Sequence, residues 1–343
     1  MIDDRPVRVG IIGGGSIAGA HLDGYLQAPD AVTVTAIADI DPEHARRAAG
    51  RAGGAEIFSD YRDMLASSLV DAVDICLPHH LHAEAIVAAA AAGVHVLCEK
   101  PLCLTIEEAH EVQEAVIASG ITLMCSHNQL FLPPVAAARK VLREGILGTV
   151  YEARTTDSFF NKLDPNTMGW RAHRSTSGGG ELIDTGYHPT YLLLHLVDSE
   201  PVEVVAMLGR HRLTFMEGED SAQVLVRFAD GSIGTIMTSW AYDPAGSTEK
   251  FSVVGEAGSL WSDGAALFHR PRGGAVTRLV DPAAHEIETI PLSVLDFVAC
   301  LREGRRPIDT EVEGINVLKV ILGAYASVDQ GRIISLPELF AAS

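Results

Sequence analysis

Residues Val7 to Ile12 form a β-branched run that passes at once into Gly13-Gly14-Gly15-Ser16-Ile17-Ala18, and a helical pattern follows with Ala20, Leu22, Tyr25 and Leu26. Few junctions restrict a fold as tightly. A G-x-G-x-x-A turn between strand and helix gives each position a mechanical task. Gly13 permits the tight turn, Gly15 lets the backbone approach a pyrophosphate, and Ala18 is small enough for close packing of helix on sheet. The N–H groups of Ser16 and Ile17, in the first turn, would then face the phosphates. A second strand, Val32 to Ala38, ends in Asp39, about 20 residues past Ala18, where an acid is placed to bond a ribose 2′-hydroxyl. Asp41 precedes Pro42 and reads instead as an N-cap before a proline-started helix. An acid at Asp39 repels a 2′-phosphate and favours NAD over NADP, with Arg46 and Arg47 following a turn or two later.

The pattern then alternates. A short strand near Ile57, a helix near Tyr61 to Ala66, a strand from Ala72 to Leu77 and a helix from about Ala83 to Ala92 lead to Val94-His95-Val96-Leu97-Cys98-Glu99-Lys100-Pro101. A helix from Ile106 to Ser119 follows, with Thr105 and Glu108 spaced as a capping box, then a strand from Ile121 to Cys125. Such alternation predicts a doubly wound parallel sheet, the α/β class, over residues 1–126. Ligands of these sheets bind beyond the carboxyl ends of the strands. Gly13, Asp39, Pro78-His79-His80 and Glu99-Lys100 all fall there. Pro101 keeps Lys100 extended and out of the next helix, and admits a cis bond.

From about Thr149 the chain turns β-rich: Thr149 to Phe159, Val202 to Leu208, Ala222 to Phe228, Ile233 to Tyr242 and Phe251 to Trp261, with a hairpin signal at Ala229-Asp230-Gly231-Ser232. Consecutive strands predict a C-terminal α+β domain, residues 127–343, built on a large, mostly antiparallel open sheet. Helices at Pro133 to Glu144, Leu182 to Leu196 and Val312 to Ala326 would cover one face. The other face is expected to pair with a second subunit, in a homodimer or homotetramer. Between these strands lie Trp170-Arg171 and Gly178-Gly179-Gly180-Glu181-Leu182-Ile183-Asp184-Thr185-Gly186-Tyr187-His188. In one continuous helix Asp184 and His188 share a face, with Tyr191 a turn further on and a kink at Pro189. A histidine beside a carboxylate is a poised acid–base group near neutral pH; a satisfied polar stripe is the structural alternative.

Composition closes off other classes. The formal net charge of −19, spread along 343 residues, repels phosphate backbones and acidic membranes, so nucleic acid and membrane partners are not expected. Apolar content of 47% with 21% charged residues is that of a soluble globular chain. The most apolar stretch, Ala85 to Cys98, is too short to span a bilayer, and Asp3, Asp4 and Arg5 do not begin a secretory signal. Five cysteines without a C-x-x-C pair suggest reduced core thiols and a cytoplasmic protein. His79, His80 and His82 lack an acid or cysteine at ligand spacing, so no metal site is expected.

Together these features resemble the Gfo/Idh/MocA oxidoreductase family over nearly the whole chain. The carriers are Glu99-Lys100-Pro101, the Gly178…His188 segment, the Pro78…His82 turn and Trp170-Arg171. The resemblance implies a Rossmann domain joined to an open-sheet domain, with Lys100, Asp184 and His188 catalytic. It implies cofactor contacts from Gly13, Gly15, Ser16, Ile17, Asp39, Pro78, His79, His82, Glu99, Lys100, Trp170 and Arg171. Lys100, Arg171, Asp184, Tyr187 and His188 would meet the substrate. The activity implied is hydride transfer between NAD and a secondary alcohol or ketone carbon of a sugar, sugar derivative or cyclitol. An NAD-dependent glycosidase and an inactive nucleotide-binding sensor are the alternatives. Tyr191 stands where many members carry an acid, and Gln129-Leu130 where an arginine is common.

Overall fold

Six parallel strands form the first sheet: β1 (Val7–Ile12), β2 (Val32–Ala38), β3 (Glu56–Phe58), β4 (Ala72–Ile75), β5 (His95–Cys98) and β6 (Leu123–Cys125). Their order, β3-β2-β1-β4-β5-β6, reverses direction beside β1, and all pairings are parallel. This computed structural model describes residues 5–241, 249–285 and 287–341. Strands β1, β4 and β5 are almost wholly apolar and buried, as a sheet covered on both faces requires. Local signals set the helix starts. Asp41 accepts the N–H of Glu43 at the head of Pro42–Arg51, and Thr105 with Glu108 closes a full capping box on Ile106–Ser119.

The chain divides into two compact units, Met1–Asn128 with Glu288–Ile315, and Gln129–Ile287 with Asn316–Ser343. The late return to the first unit is made by the helix Thr289–Glu303. It buries Val294, Phe297, Val298 and Leu301, an i, i+3, i+4, i+7 stripe, and packs on the helix Ser16–Tyr25. Gly24 makes that approach feasible: a Cβ there would lie 2.3 Å from Val294 Cγ2 and 2.8 Å from Pro291 Cα.

The second unit holds a nine-stranded sheet of β7 (Val150–Ser158), β8 (Pro201–Gly209), β9 (Ser221–Phe228), β10 (Ile233–Ser239), β11 (Phe251–Gly255), β12 (Gly258–Ser262), β13 (Leu267–Pro271), β14 (Thr277–Val280) and β15 (Ile334–Ser335). The order is β14-β13-β12-β11-β7-β10-β9-β8-β15, and β7 with β10 is the parallel pair among otherwise antiparallel neighbours. The helix Tyr187–Val197 packs on β7 and β10, and Pro133–Arg143 packs on that helix. On the opposite face Met207, Leu225, Ile233 and Val254 are exposed, Met207 by 82%.

Three expectations need correction. Phe251 to Trp261 is a hairpin of β11 and β12 that turns at Glu256-Ala257, between the paired Gly255 and Gly258, where Gly258 takes φ +157° and a Cβ would lie 2.3 Å from the Arg270 carbonyl oxygen. Leu182 to Leu196 is not one helix: Glu181–Asp184 and Tyr187–Val197 are separated at Thr185-Gly186. Pro189 has no N–H, and its ring would clash with the carbonyl of residue 185 in a continuous helix. Placed in the first turn of a new helix it costs nothing, so the chain breaks before His188 and is not kinked at it. The strand expected from Ile233 to Tyr242 ends at Ser239. Tyr242 lies outside the described residues, as do Asp3 and Asp4.

Candidate active site

At the head of the first sheet Gly13 has φ +94°, and a Cβ there would lie 2.6 Å from the carbonyl oxygen of Cys76. Gly15 meets the opposite condition. Nothing lies within 4 Å of where its Cβ would be, and it caps the helix Ser16–Tyr25 without a side-chain bond. Ser16 and Ile17 are exposed and the first turn carries no acid, so the positive helix end is open to an anion. Asp39 is fixed beside this turn: Oδ2 accepts the N–H of Gly14 at 2.6 Å and Oδ1 that of Asp41 at 2.8 Å. The open space at Gly15, the uncapped helix end and the anchored acid suit a dinucleotide with an unmodified ribose.

Beyond β4 and β5 the two loops are tied together. The ring of His82 lies 2.6 Å from the carbonyl of Pro101 and 2.8 Å from that of Leu77. Pro78 precedes the short turn His79–Leu81, and the buried ring of His79 meets His82 edge-on at 6.0 Å. The Lys100-Pro101 bond is cis. The backbone N–H of Lys100 donates to Glu99 Oε2 at 3.2 Å, while Glu99 Oε1 faces His21 Nε2 at 2.9 Å. His21 Nδ1 in turn meets Asp74 Oδ2 at 2.8 Å, and the Tyr25 hydroxyl donates to the same oxygen. Burial works against a charged His21, but Asp74 and Cys76 outweigh it and hold its pKa well above the usual value. The imidazolium between two carboxylates underlies the Glu99-Lys100 turn.

Sequence reasoning passed over His21. Its signal was its place with Ala18, Leu22 and Tyr25 on the buried stripe of the helix, facing Asp74, the sole charged residue of β4. His21, Asp74 and Cys76 also form the one group among the described residues whose potential ligand atoms converge, within 4.8 Å; Asp74 and His21 already satisfy each other there.

In the second unit the break at Thr185-Gly186 sets the polar residues. Arg171, on the short turn Gly169–Ala172, donates from Nε to Asp184 Oδ2 at 2.8 Å and stacks over Trp170 at 4.3 Å. His188 Nδ1 lies 2.8 Å from the Tyr191 hydroxyl, which also accepts the N–H of Gln129 at 3.1 Å. Tyr187 is fully buried, its ring edge-on to Tyr191. Gly179 and Gly180 are required by close approach: their Cβ atoms would lie 2.2 Å from the Tyr325 hydroxyl and 2.1 Å from the Glu219 carbonyl.

Asp184 and Arg171 line a cavity of about 290 Å³ with Asn161, Leu163, Thr167, Met168, Thr185 and Trp240. The Trp240 indole donates to Thr185 Oγ1 at 2.8 Å and its ring packs with Met168, Leu213 and Met216. The lining therefore combines charged and polar groups (Asp184, Arg171, Thr185, Thr167, Asn161) with apolar ones (Leu163, Met168, Trp240). The volume sits at the small end of the roughly 300–1,000 Å³ typical of ligand pockets. The loop from Phe159 to Trp170 contributes Asn161, Leu163, Thr167 and Met168 to this cavity.

A Rossmann unit with an uncapped glycine turn and a second unit with a small polar cavity define a nucleotide-binding oxidoreductase acting on a small ligand. Residues 7–127 match the model described as the oxidoreductase family, NAD-binding Rossmann fold, and residues 135–261 match the GFO/IDH/MocA C-terminal domain. Levoglucosan dehydrogenase of Pseudarthrobacter phenanthrenivorans is 32% identical over 284 residues, covering 74% of this chain and 73% of the relative. D-apiose dehydrogenase of Paraburkholderia graminis is 27% identical over 96% of this chain and 90% of its own length. A solved levoglucosan dehydrogenase, in complex with NADH and levoglucosan, superposes with a TM-score of 0.88 at 27% identity, over 97% of this chain and 100% of that one. The chain belongs to the Gfo/Idh/MocA family of NAD-binding oxidoreductases.

Proposed function

We propose that the protein is an NAD-dependent dehydrogenase that oxidises a secondary hydroxyl of a sugar, sugar derivative or cyclitol, or reduces the corresponding ketone. The observation that carries this reading is the cavity walled by the Asp184–Arg171 pair. Its size suits one sugar ring, and its mixed lining offers partners for the hydroxyls and for the apolar face of such a ring. The family's named relatives, levoglucosan dehydrogenase and D-apiose dehydrogenase among them, support the same substrate class.

Bound NAD supplies the hydride acceptor, held by Gly13, Gly15, Ser16, Ile17 and Asp39, with Pro78, His79, His82 and Glu99 shaping its rim. His188 takes the hydroxyl proton. The Tyr191 hydroxyl has two lone pairs; it can accept from Nδ1–H and from Gln129 together, which leaves the Nε2 lone pair as the base. Lys100 donates to the oxygen as negative charge develops on it, a preorganised electrostatic role. Asp184, held by Arg171, receives a neighbouring hydroxyl. His188→Asn is expected to lower turnover by about 10²–10⁴-fold while NADH binding, read by fluorescence titration, persists. Unimpaired turnover in that variant would remove His188 from the mechanism.

The exposed apolar row on the nine-stranded sheet supports a homo-oligomer of two or four copies joined through that face. The five cysteines are free and buried, which fits a reducing cytoplasm. No helix among the described residues is long and apolar enough to cross a membrane.

A further inference from the structure

Glu181 opens the short helix that ends in Asp184, and it is wholly buried. Thr238 Oγ1 contacts two oxygens at once: the main-chain carbonyl of Asp157 at 2.9 Å and Oε1 of Glu181. A hydroxyl has a single hydrogen, and a carbonyl oxygen has none. The Thr238 hydroxyl therefore donates to the Asp157 carbonyl, and the proton of the second contact is donated by Glu181. The other carboxyl oxygen, Oε2, is enclosed without a hydrogen-bond partner. That is tolerable for the carbonyl of a neutral acid and costly for a carboxylate.

The charged neighbours agree. Glu219 is also buried and accepts from the Leu182 N–H and the Tyr325 hydroxyl, both at 2.9 Å. Asp157 takes Lys250 and Gln129, each at 3.4 Å, and Asp184 takes Arg171. Arg174 lies over the Tyr325 ring. The nearby cations thus have other partners, and among the described residues no ion pair includes Glu181. Burial, with Glu219, Asp157 and Asp184 adding to it, pushes the Glu181 pKa well up.

We propose that Glu181 is a positioning residue carried as a neutral acid, whose bond to Thr238 fixes the turn bearing Asp184 and whose ionisation at alkaline pH releases it. The proposal rests on the dehydrogenase reading only for its kinetic readout. A group whose folded pKa is raised stabilises fully below its unfolded value and loses that contribution as pH rises through the folded one. Glutamine imitates the neutral acid, donating from its amide to Thr238, and cannot ionise.

The test compares wild type with Glu181→Gln by infrared difference spectroscopy and by thermal midpoint against pH. At neutral pH the difference spectrum should contain the C=O stretch of one protonated carboxyl. The midpoint of E181Q should fall less steeply than that of wild type between neutral and alkaline pH. Turnover should be kept at neutral pH, with its alkaline limb displaced upward. A missing protonated-carboxyl band, or superimposable pH profiles, overturns the proposal. Should E181Q not fold, the wild-type band is compared with Thr238→Val, where loss of the acceptor must shift it; an unshifted band overturns the proposal equally. The spectroscopic and thermal readouts need no substrate, so failure of the dehydrogenase reading leaves them informative.

Discussion

Tyr191 stands where the family resemblance places an acid in many members, and a phenol in place of a carboxylate has chemical consequences. A phenol at 2.8 Å orients the ring without adding negative charge beside it. Tyr191→Phe removes the hydroxyl that meets both His188 and the Gln129 N–H; losing the neutral bond that orients His188 is worth about 1 kcal/mol, or roughly fivefold in kcat. The loss should appear in kcat with NAD affinity unchanged, and steady-state kinetics with a cofactor titration would show it. Equal loss of cofactor affinity would mean that Tyr191 supports the fold more broadly than this account allows. At this scale the sequence was most legible where a residue type has few other uses: Gly13, Asp39 and the Glu99-Lys100-Pro101 turn. It was least legible for His21 and Glu181, because their partners Asp74, Glu99 and Thr238 are 53, 78 and 57 residues away. Periodicity carries no information about such pairs.

Among elements, the break at Thr185-Gly186 illustrates what local pattern does and does not supply. Apolar spacing from Leu182 to Leu196 is continuous, yet Pro189 and the crowding at Gly186 divide it. A Cβ on Gly186 would lie 2.6 Å from the Leu182 carbonyl oxygen and 2.9 Å from Thr238 Cγ2. Gly186→Ala should destabilise the fold by about 1–3 kcal/mol, read as a lower urea midpoint; an unchanged midpoint would show that the turn relaxes freely. A second element-level device ties the loop after β6 to the N-terminal end of the helix Glu311–Gln330. There His127 Nδ1 meets Asp309 in a buried pair. Burial acts to lower the His127 pKa, but Cys125 and Asp309 push it up to about 10. A raised folded value means the pair stabilises fully below 6.5, the unfolded value, and loses that contribution as pH rises toward 10. The thermal midpoint of His127→Gln should therefore trail wild type most below pH 6.5, with the gap closing by about pH 10. A gap that does not vary with pH would contradict a charged His127.

For the whole molecule, the alternation of strand and helix sufficed to foresee the parallel sheet, and consecutive β segments sufficed for the open one. The return of Glu288–Ile315 to the first unit was not foreseeable in the same way. Its evidence is a glycine, Gly24, whose missing Cβ admits Val294 and Pro291 from a helix more than 250 residues later. The exposed row of Met207, Leu225, Ile233 and Val254 makes a further prediction at this scale. On the proposed homo-oligomer, wild type should scatter as a dimer or tetramer and Leu225→Glu with Ile233→Glu as a monomer, while the thermal transition stays cooperative; a wild-type assembly in that variant would place the interface elsewhere. The central claim is hydride transfer from a sugar carbon to NAD, and its most direct test is a panel of anhydrosugars, pentoses, glycosides, uronates and inositols. Each is incubated with NAD or NADP while NADH absorbance and carbonyl product are followed together. The account predicts NADH and carbonyl formed in equal amounts from at least one member of the panel, with NAD preferred over NADP. Cleavage of a glycoside without net NADH, or no turnover across the panel, would contradict it.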